Sequence, residues 1–152
     1  MEDVSALLAA HPFLAGMAGE HISRLAQSAT EASFDEHESL FRVGEPAQTC
    51  FLVIRGQVDL EVFDQRRGPI IIQTIEDGGV VGWSWVVPPY RWSFDARAVA
   101  PTQAIALQAA HVREACEKDS DLGYELFKKC ATVIADRILA VRMQLVDIYT
   151  KQ

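Results

Sequence analysis

The sequence predicts a mainly β fold with flanking helices, and three observations carry that expectation. Between about residues 34 and 107 the hydrophobic period is two, with turn signals every eight to twelve residues. Before and after that stretch the period is helical. The last stretch is long enough for a single extended helix.

Residues from about 3 to 31 are rich in Ala and Leu, with Leu7, Leu8, Phe13, Leu14, Ile22 and Leu25 at helical spacing. Gly16 and Gly19 divide them, so two short helices are expected, the second over AGEHISRLAQSA with Ile22, Leu25 and Ala29 inward. Further on, Val58, Leu60 and Val62 alternate with Gln57, Asp59 and Glu61, which predicts a strand with one buried and one solvated face. The run Cys50–Ile54 is nearly all apolar and reads as a central strand. The turns Val43-Gly44-Glu45-Pro46, Arg55-Gly56, Arg67-Gly68-Pro69, Asp77-Gly78-Gly79 and Pro88-Pro89 cut the region into many short strands. A sandwich, roll or barrel follows. After residue 109 a short helix over His111–Lys118 precedes a long one, capped by Asp119 or Ser120 and running to about Tyr149.

Along the long helix Phe127, Ala131, Ile134, Ile138, Val141, Leu145 and Ile148 recur at alternating steps of three and four. That spacing is a two-stranded coiled-coil seam, and it predicts a homodimer; the alternative is a helix lying across its own sheet. A second stripe, Leu122, Leu126, Cys130 and Val133, would pack the start of the helix onto the β region.

Composition narrows the function. With 14 Lys and Arg against 21 Asp and Glu, the net charge of −7 repels a polyanion, and Arg66-Arg67 and Lys128-Lys129 are too short to act as a basic patch. No apolar stretch approaches a membrane span, so no membrane partner is expected. The three cysteines, Cys50, Cys116 and Cys130, are odd in number and far apart, which suits a reducing, cytoplasmic setting. No CxxC, HxH, GxSxG or P-loop occurs, so no metal, cofactor or enzyme site is expected. His37 stands among Asp35, Glu36 and Glu38, a group read as the solvated face of a strand.

The order of elements resembles the cyclic-nucleotide-binding domains, above all the effector half of the bacterial catabolite-activator and fumarate-nitrate regulator family. HPFLAGMAGEHISRLAQSA is similar to the opening helices of that family. LFRVGEPAQTCFLVIRGQVDL resembles its strand-turn-strand segment, with Gly44-Glu45 and Gly56 at the turns. DGGVVGWS stands where its phosphate-binding cassette begins, and ARAVAPTQAIAL resembles the strand that follows. The resemblance covers about residues 11 to 148. It implies one domain over 1–152: N-terminal helices over 1–32, a jelly-roll-like β-roll (a double-stranded β-helix) over 33–108, and C-terminal dimerisation helices over 109–152.

In that family a short helix follows a Gly and points its N–H groups at the cyclic phosphate, a Glu next to the Gly holds the ribose, and an Arg nine or ten residues on neutralises the phosphate. Here the Gly is Gly82, the Glu position holds Trp83, and the Arg position falls at Trp92 or Ser93. Arg91 lies slightly early and Arg97 belongs to the next strand. The cassette GWSWVVPPYRWSFDARA instead carries all three Trp of the chain.

Three readings follow. Gly82, Trp83, Ser84, Trp85, Tyr90, Arg91, Trp92 and Ser93 could line a repurposed pocket for a small anionic or aromatic ligand. The aromatic side chains could instead seal a dead pocket, leaving a scaffold that presents a surface to a regulatory protein partner. Or a cyclic nucleotide could be held through Arg91 or Arg97. The first makes the chain a sensor whose ligand shifts the pose of the long helix. The sequence ends at Gln152, directly after the seam, so a helix-turn-helix and direct DNA binding are not expected.

Overall fold

A computed structural model describes residues 3–150. The chain opens with α1 (Val4–Ala10), a 3-10 turn over Pro12–Leu14, and α2 (Gly19–Ala26). Asp3 caps α1 by accepting from the Ser5 N–H at 3.1 Å. The second helix stops at Ala26, so Ala29 lies beyond it in the turn that leads into the first strand.

Seven strands follow: β1 (Thr30–Phe34), β2 (Ser39–Phe41), β3 (Thr49–Arg55), β4 (Val58–Asp64), β5 (Gly68–Ile75), β6 (Asp95–Ala98) and β7 (Thr102–Gln108). They form two antiparallel sheets, ordered β1-β7-β3 and β2-β6-β4-β5. The sheets share one core, in which Leu52, Ile105 and Leu107 from the first join Val58, Leu60 and Ala96 from the second. Gly56 makes the β3–β4 turn possible, because at φ +127° a Cβ there would stand 2.7 Å from the Thr102 Cα. This is the cyclic-nucleotide-binding type of β-roll, with N-terminal helices and a long C-terminal helix.

Three strand-level expectations need correcting. Asp59 and Glu61 do not face solvent: they are 5% and 7% exposed. Asp59 accepts from the Thr74 hydroxyl at 2.8 Å, and Glu61 accepts from the Arg97 guanidinium. Neighbouring strands thus supply polar partners, which is what lets carboxylates occupy a covered sheet face. The strand around Cys50–Ile54 is an edge of its sheet, with β7 at the centre. Its free edge is nonetheless covered by the Gly78–Val81 segment: Val53 N–H donates to Gly79 at 2.9 Å and Val81 N–H donates to Phe51 at 3.0 Å. His37 sits in the β1–β2 turn at φ +76° and not on a strand, though it is exposed as expected.

The roll is closed by α3 (Ala109–Lys118) and followed by α4 (Ser120–Thr150), about 46 Å long at 1.5 Å per residue. Asp119 caps α4, accepting from the N–H groups of Asp121 and Leu122. Gly123 lets the two helices approach, since a Cβ there would lie 2.8 Å from the Cys116 carbonyl oxygen. Leu122, Leu126 and Cys130 are buried against the roll as their stripe predicts, while every residue from Ile138 to Thr150 is exposed. No helix among the described residues is long and apolar enough to cross a membrane.

Candidate functional site

The cassette begins where β5 and its following turn deliver the chain to Gly82, at φ +77°. That left-handed backbone suits Gly, and space demands it as well. A Cβ at Gly82 would lie 2.9 Å from the Trp92 ring and 3.0 Å from the Phe94 ring. No helix lies between Gly82 and β6. The backbone makes two turns instead, with Val86 N–H donating to Trp83 at 3.0 Å and Tyr90 N–H to Val87 at 2.9 Å. The row of N–H groups that a helix start would present to an anion is therefore not assembled.

Trp92 occupies the middle of the site. It is 3% exposed, and its indole stacks on Phe41 with centroids 3.7 Å apart and planes 5° from parallel. Phe94 closes the cluster at 6.1 Å from Trp92 and 5.9 Å from Phe41. Trp85 is fully buried, and its indole N–H donates to the Gly82 carbonyl at 3.2 Å. Trp83 and Ser84 are half-buried, whereas Ser93 is exposed.

The backbone of Tyr90–Trp92 is zipped to the Gly44–Ala47 turn. Ala47 N–H donates to Tyr90 at 2.7 Å, Gly44 N–H to Trp92 at 2.8 Å, and Trp92 N–H to Glu45 at 3.0 Å. A recess of about 210 Å³ lies beside Phe41, Phe51 and Trp92. Sites for drug-sized ligands run from roughly 300 to 1,000 Å³.

Neither candidate arginine is free. Arg91 is exposed and donates to the Gly44 carbonyl at 2.8 Å. Arg97 lies against Glu61, with N–O distances of 2.8 and 3.3 Å, and this carboxylate holds its guanidinium more firmly protonated still.

The residues that complete the arrangement lie outside the cassette. Arg113 of α3 donates to the Trp85 carbonyl at 2.6 Å and sits over the Tyr90 ring at 4.2 Å from its centroid. Phe41, Glu61 and Arg113 are each far from the cassette in sequence and carry no motif. The regular alternation around Asp59 and Glu61 pointed the other way, to a solvated face.

The chain belongs to the cyclic nucleotide-binding domain family, whose sequence profile matches residues 31–119. Its fold is similar to those of several solved structures, a sensor domain of a bacterial transcription regulator among them. The sensor domain of the regulator DNR from Pseudomonas aeruginosa superposes with a TM-score of 0.71 at 20% identity, covering 88% of this chain and 90% of that one. A protein of Geobacter metallireducens described as cyclic nucleotide-binding superposes at 0.79 with 24% identity, covering 91% and 99%. The regulatory subunit of a cAMP-independent protein kinase A from Trypanosoma cruzi, bound to guanosine, superposes at 0.69 with 20% identity, covering 84% of this chain and 44% of that one. No curated protein matches the chain by sequence.

Proposed function

We propose that this chain is one regulatory unit over residues 1–152 that works as a homodimer through α4, with its phosphate cassette closed by its own aromatic side chains rather than opened to cAMP. The observation that carries this reading is the Trp92 indole, stacked at 3.7 Å on Phe41 where the resemblance puts the family's phosphate-binding arginine, at Trp92 or Ser93. A ring there takes the ligand's volume, so a buried phosphate would meet an indole where it needs a cation. Arg91 and Arg97 support the same conclusion, since each is already committed to an acceptor. The guanosine-bound, cAMP-independent kinase subunit supports it from another side, as a protein of this fold that is not governed by cAMP.

The homodimer rests on the seam. Phe127, Ile138, Leu145 and Ile148 are each 49–57% exposed, an apolar stripe that a second copy of the helix would cover. A regulatory protein partner would then read the paired helices. Three free, buried thiols suit a reducing compartment such as the cytoplasm.

Calorimetric titration with cAMP and cGMP tests the closed cassette, with Arg91→Ala as control. No saturable heat from folded, dimeric protein is the expected result. Micromolar binding that Arg91→Ala abolishes would overturn the proposal and make the cassette a rebuilt nucleotide site.

A further inference from the structure

The free end of α4 carries a second apolar stripe beside the seam. Leu139, Met143 and Val146 follow one another at steps of four and three, and each is 57–63% exposed. At about 100° per residue they lie about 150° round the helix from the seam residues Ile138, Val141 and Leu145. A helix paired along the seam alone leaves this stripe in water, and an apolar arc that wide marks a helix with more than one neighbour. One heptad earlier the same line holds Thr132 and Asp136, which are polar and exposed. The stripe therefore begins where the helix leaves the roll.

The identities of the seam residues point the same way as the second stripe. With Phe127 at a d position, the free end has Ile138 and Leu145 at a, and Val141 and Ile148 at d. Two-stranded coils favour Leu at d. Ile at both positions, or Leu at a with Ile at d, favours three or four strands. No d position of the free end holds Leu, and Leu145 with Ile148 is a pair of the second kind.

Between three and four strands, symmetry decides. A dimer with a two-fold axis adds to itself in pairs, so closed assemblies of it hold four chains and not three. Charge sets the direction. Each chain carries a net −7, which disfavours crowding four rolls at one end. Two dimers whose projecting tips lie antiparallel keep their rolls at opposite ends. Arg142 stands between the two stripes, where its stem can lie along apolar surface while its charge reaches water. Asp136, Gln144 and Asp147 make the polar face that remains.

We infer that the Leu139, Met143 and Val146 stripe is an interface between two dimers of this chain, which join tip to tip as a four-helix bundle when the protein is concentrated. The inference rests on the proposed homodimer, because the seam supplies the two-stranded unit that the stripe then pairs. Dimers prevail in dilute protein, where the smaller second interface is not yet filled. The rolls and their cassettes take no part in it.

Analytical ultracentrifugation of the full chain from about 5 to about 500 μM tests this, at about 0.15 M salt so that the net charge is screened. Dimer should give way to tetramer across that range. Leu139→Gln with Met143→Glu should weaken the second step at least about ten-fold and leave the dimer intact. Gln and Glu match Leu and Met in helix propensity, and neither position lies in the seam, so the helix itself is spared. Ala140→Glu adds the same charge on another face and should still form the tetramer. A dimer over the whole range, or a tetramer that survives Leu139→Gln with Met143→Glu, overturns the inference. A monomer over the whole range overturns the homodimer as well, so a failed seam and a failed second stripe are told apart.

Discussion

Trp92→Ala is the perturbation that weighs the closed cassette most directly. The indole is 3% exposed and lies between Phe41 and Phe94, so truncation removes a full aromatic contact surface. Buried Trp-to-Ala changes cost about 3–5 kcal/mol, which includes about 0.5–1.5 kcal/mol for the lost stack. At about 2–4 °C per kcal/mol for a chain of this size, the melting temperature should drop by about 6–20 °C. Domains carry about 5–15 kcal/mol in total, so the variant should still fold. It should then hold an apolar void on the order of 150 Å³, of the kind that stays dry and takes up a small aromatic.

Indole should rebind there. At ten times its Kd it returns about 1.4 kcal/mol by mass action, or about 3–6 °C. Thermal unfolding with and without indole, on the parent and on Trp92→Ala, is the assay. Trp83→Ala, at a half-buried position, serves as the comparison and should lose less than half as much. A Trp92→Ala protein that melts within 2 °C (about 1 kcal/mol) of the parent, or that gains nothing from indole, would refute the claim that Trp92 fills the site.

Three further outcomes are expected. His11 is buried, accepts from Phe13 N–H at Nδ1, and donates from Nε2 to the Val53 carbonyl, and burial holds its pKa below 6.5. The unfolded chain therefore takes up the proton first on acidification, so the His11 contribution is full above about pH 6.5 and shrinks as the pH falls through that value. Melting curves at pH 7.5 and 5.5 should show a smaller acid-side loss for His11→Asn than for the parent; equal losses would count against it. Burial pushes the Cys130 thiol up to about 12 and Cys116 to about 11, and raises Cys50 strongly. Native protein at pH 8 should thus resist iodoacetamide, while denatured protein takes three equivalents; rapid native labelling is the contrary result. Ile138→Asp with Leu145→Asp places two charges in the seam and should shift sedimentation from dimer to monomer, with little change in the melting of the roll. A dimer that survives both changes does not use the seam.

Most of the fold was legible because its signals are local. A period of two with turns at Gly56 and Gly68 specifies strands, and the Leu122–Cys130 stripe specifies which side of α4 meets the roll. The cassette was legible in composition but not in state. Whether Trp92 lines a pocket or fills it depends on Phe41, fifty-one positions earlier, and the pairing of β2 with β6, together with the Gly44–Ala47 zip, brings the two together. The same holds for the arginines. Arg97 reads as available until β4 sets Glu61 beside it, and no periodicity reports that an arginine has found a carboxylate. Asp59 and Glu61 misled for a related reason. Alternation gives the two faces of a strand, but water is not the only thing that can satisfy the polar one.

The first half of α4 is fastened at several points. His21 lies 3.5 Å from Asp119 and 3.2 Å from Glu125, Lys129 grips Ala15, and Gly123 nests on Cys116. Past Arg137 there are no such fasteners among the described residues, and about 20 Å of helix projects as a cantilever. A helix that short is marginal in water when nothing packs against it. In the proposed homodimer its winding depends on the second copy, so helical content should rise with protein concentration. Swinging the whole helix would mean tearing out the fasteners. The lower-cost response is to wind or unwind the free end, so a regulator with this helix would signal through the length of a rod rather than its angle.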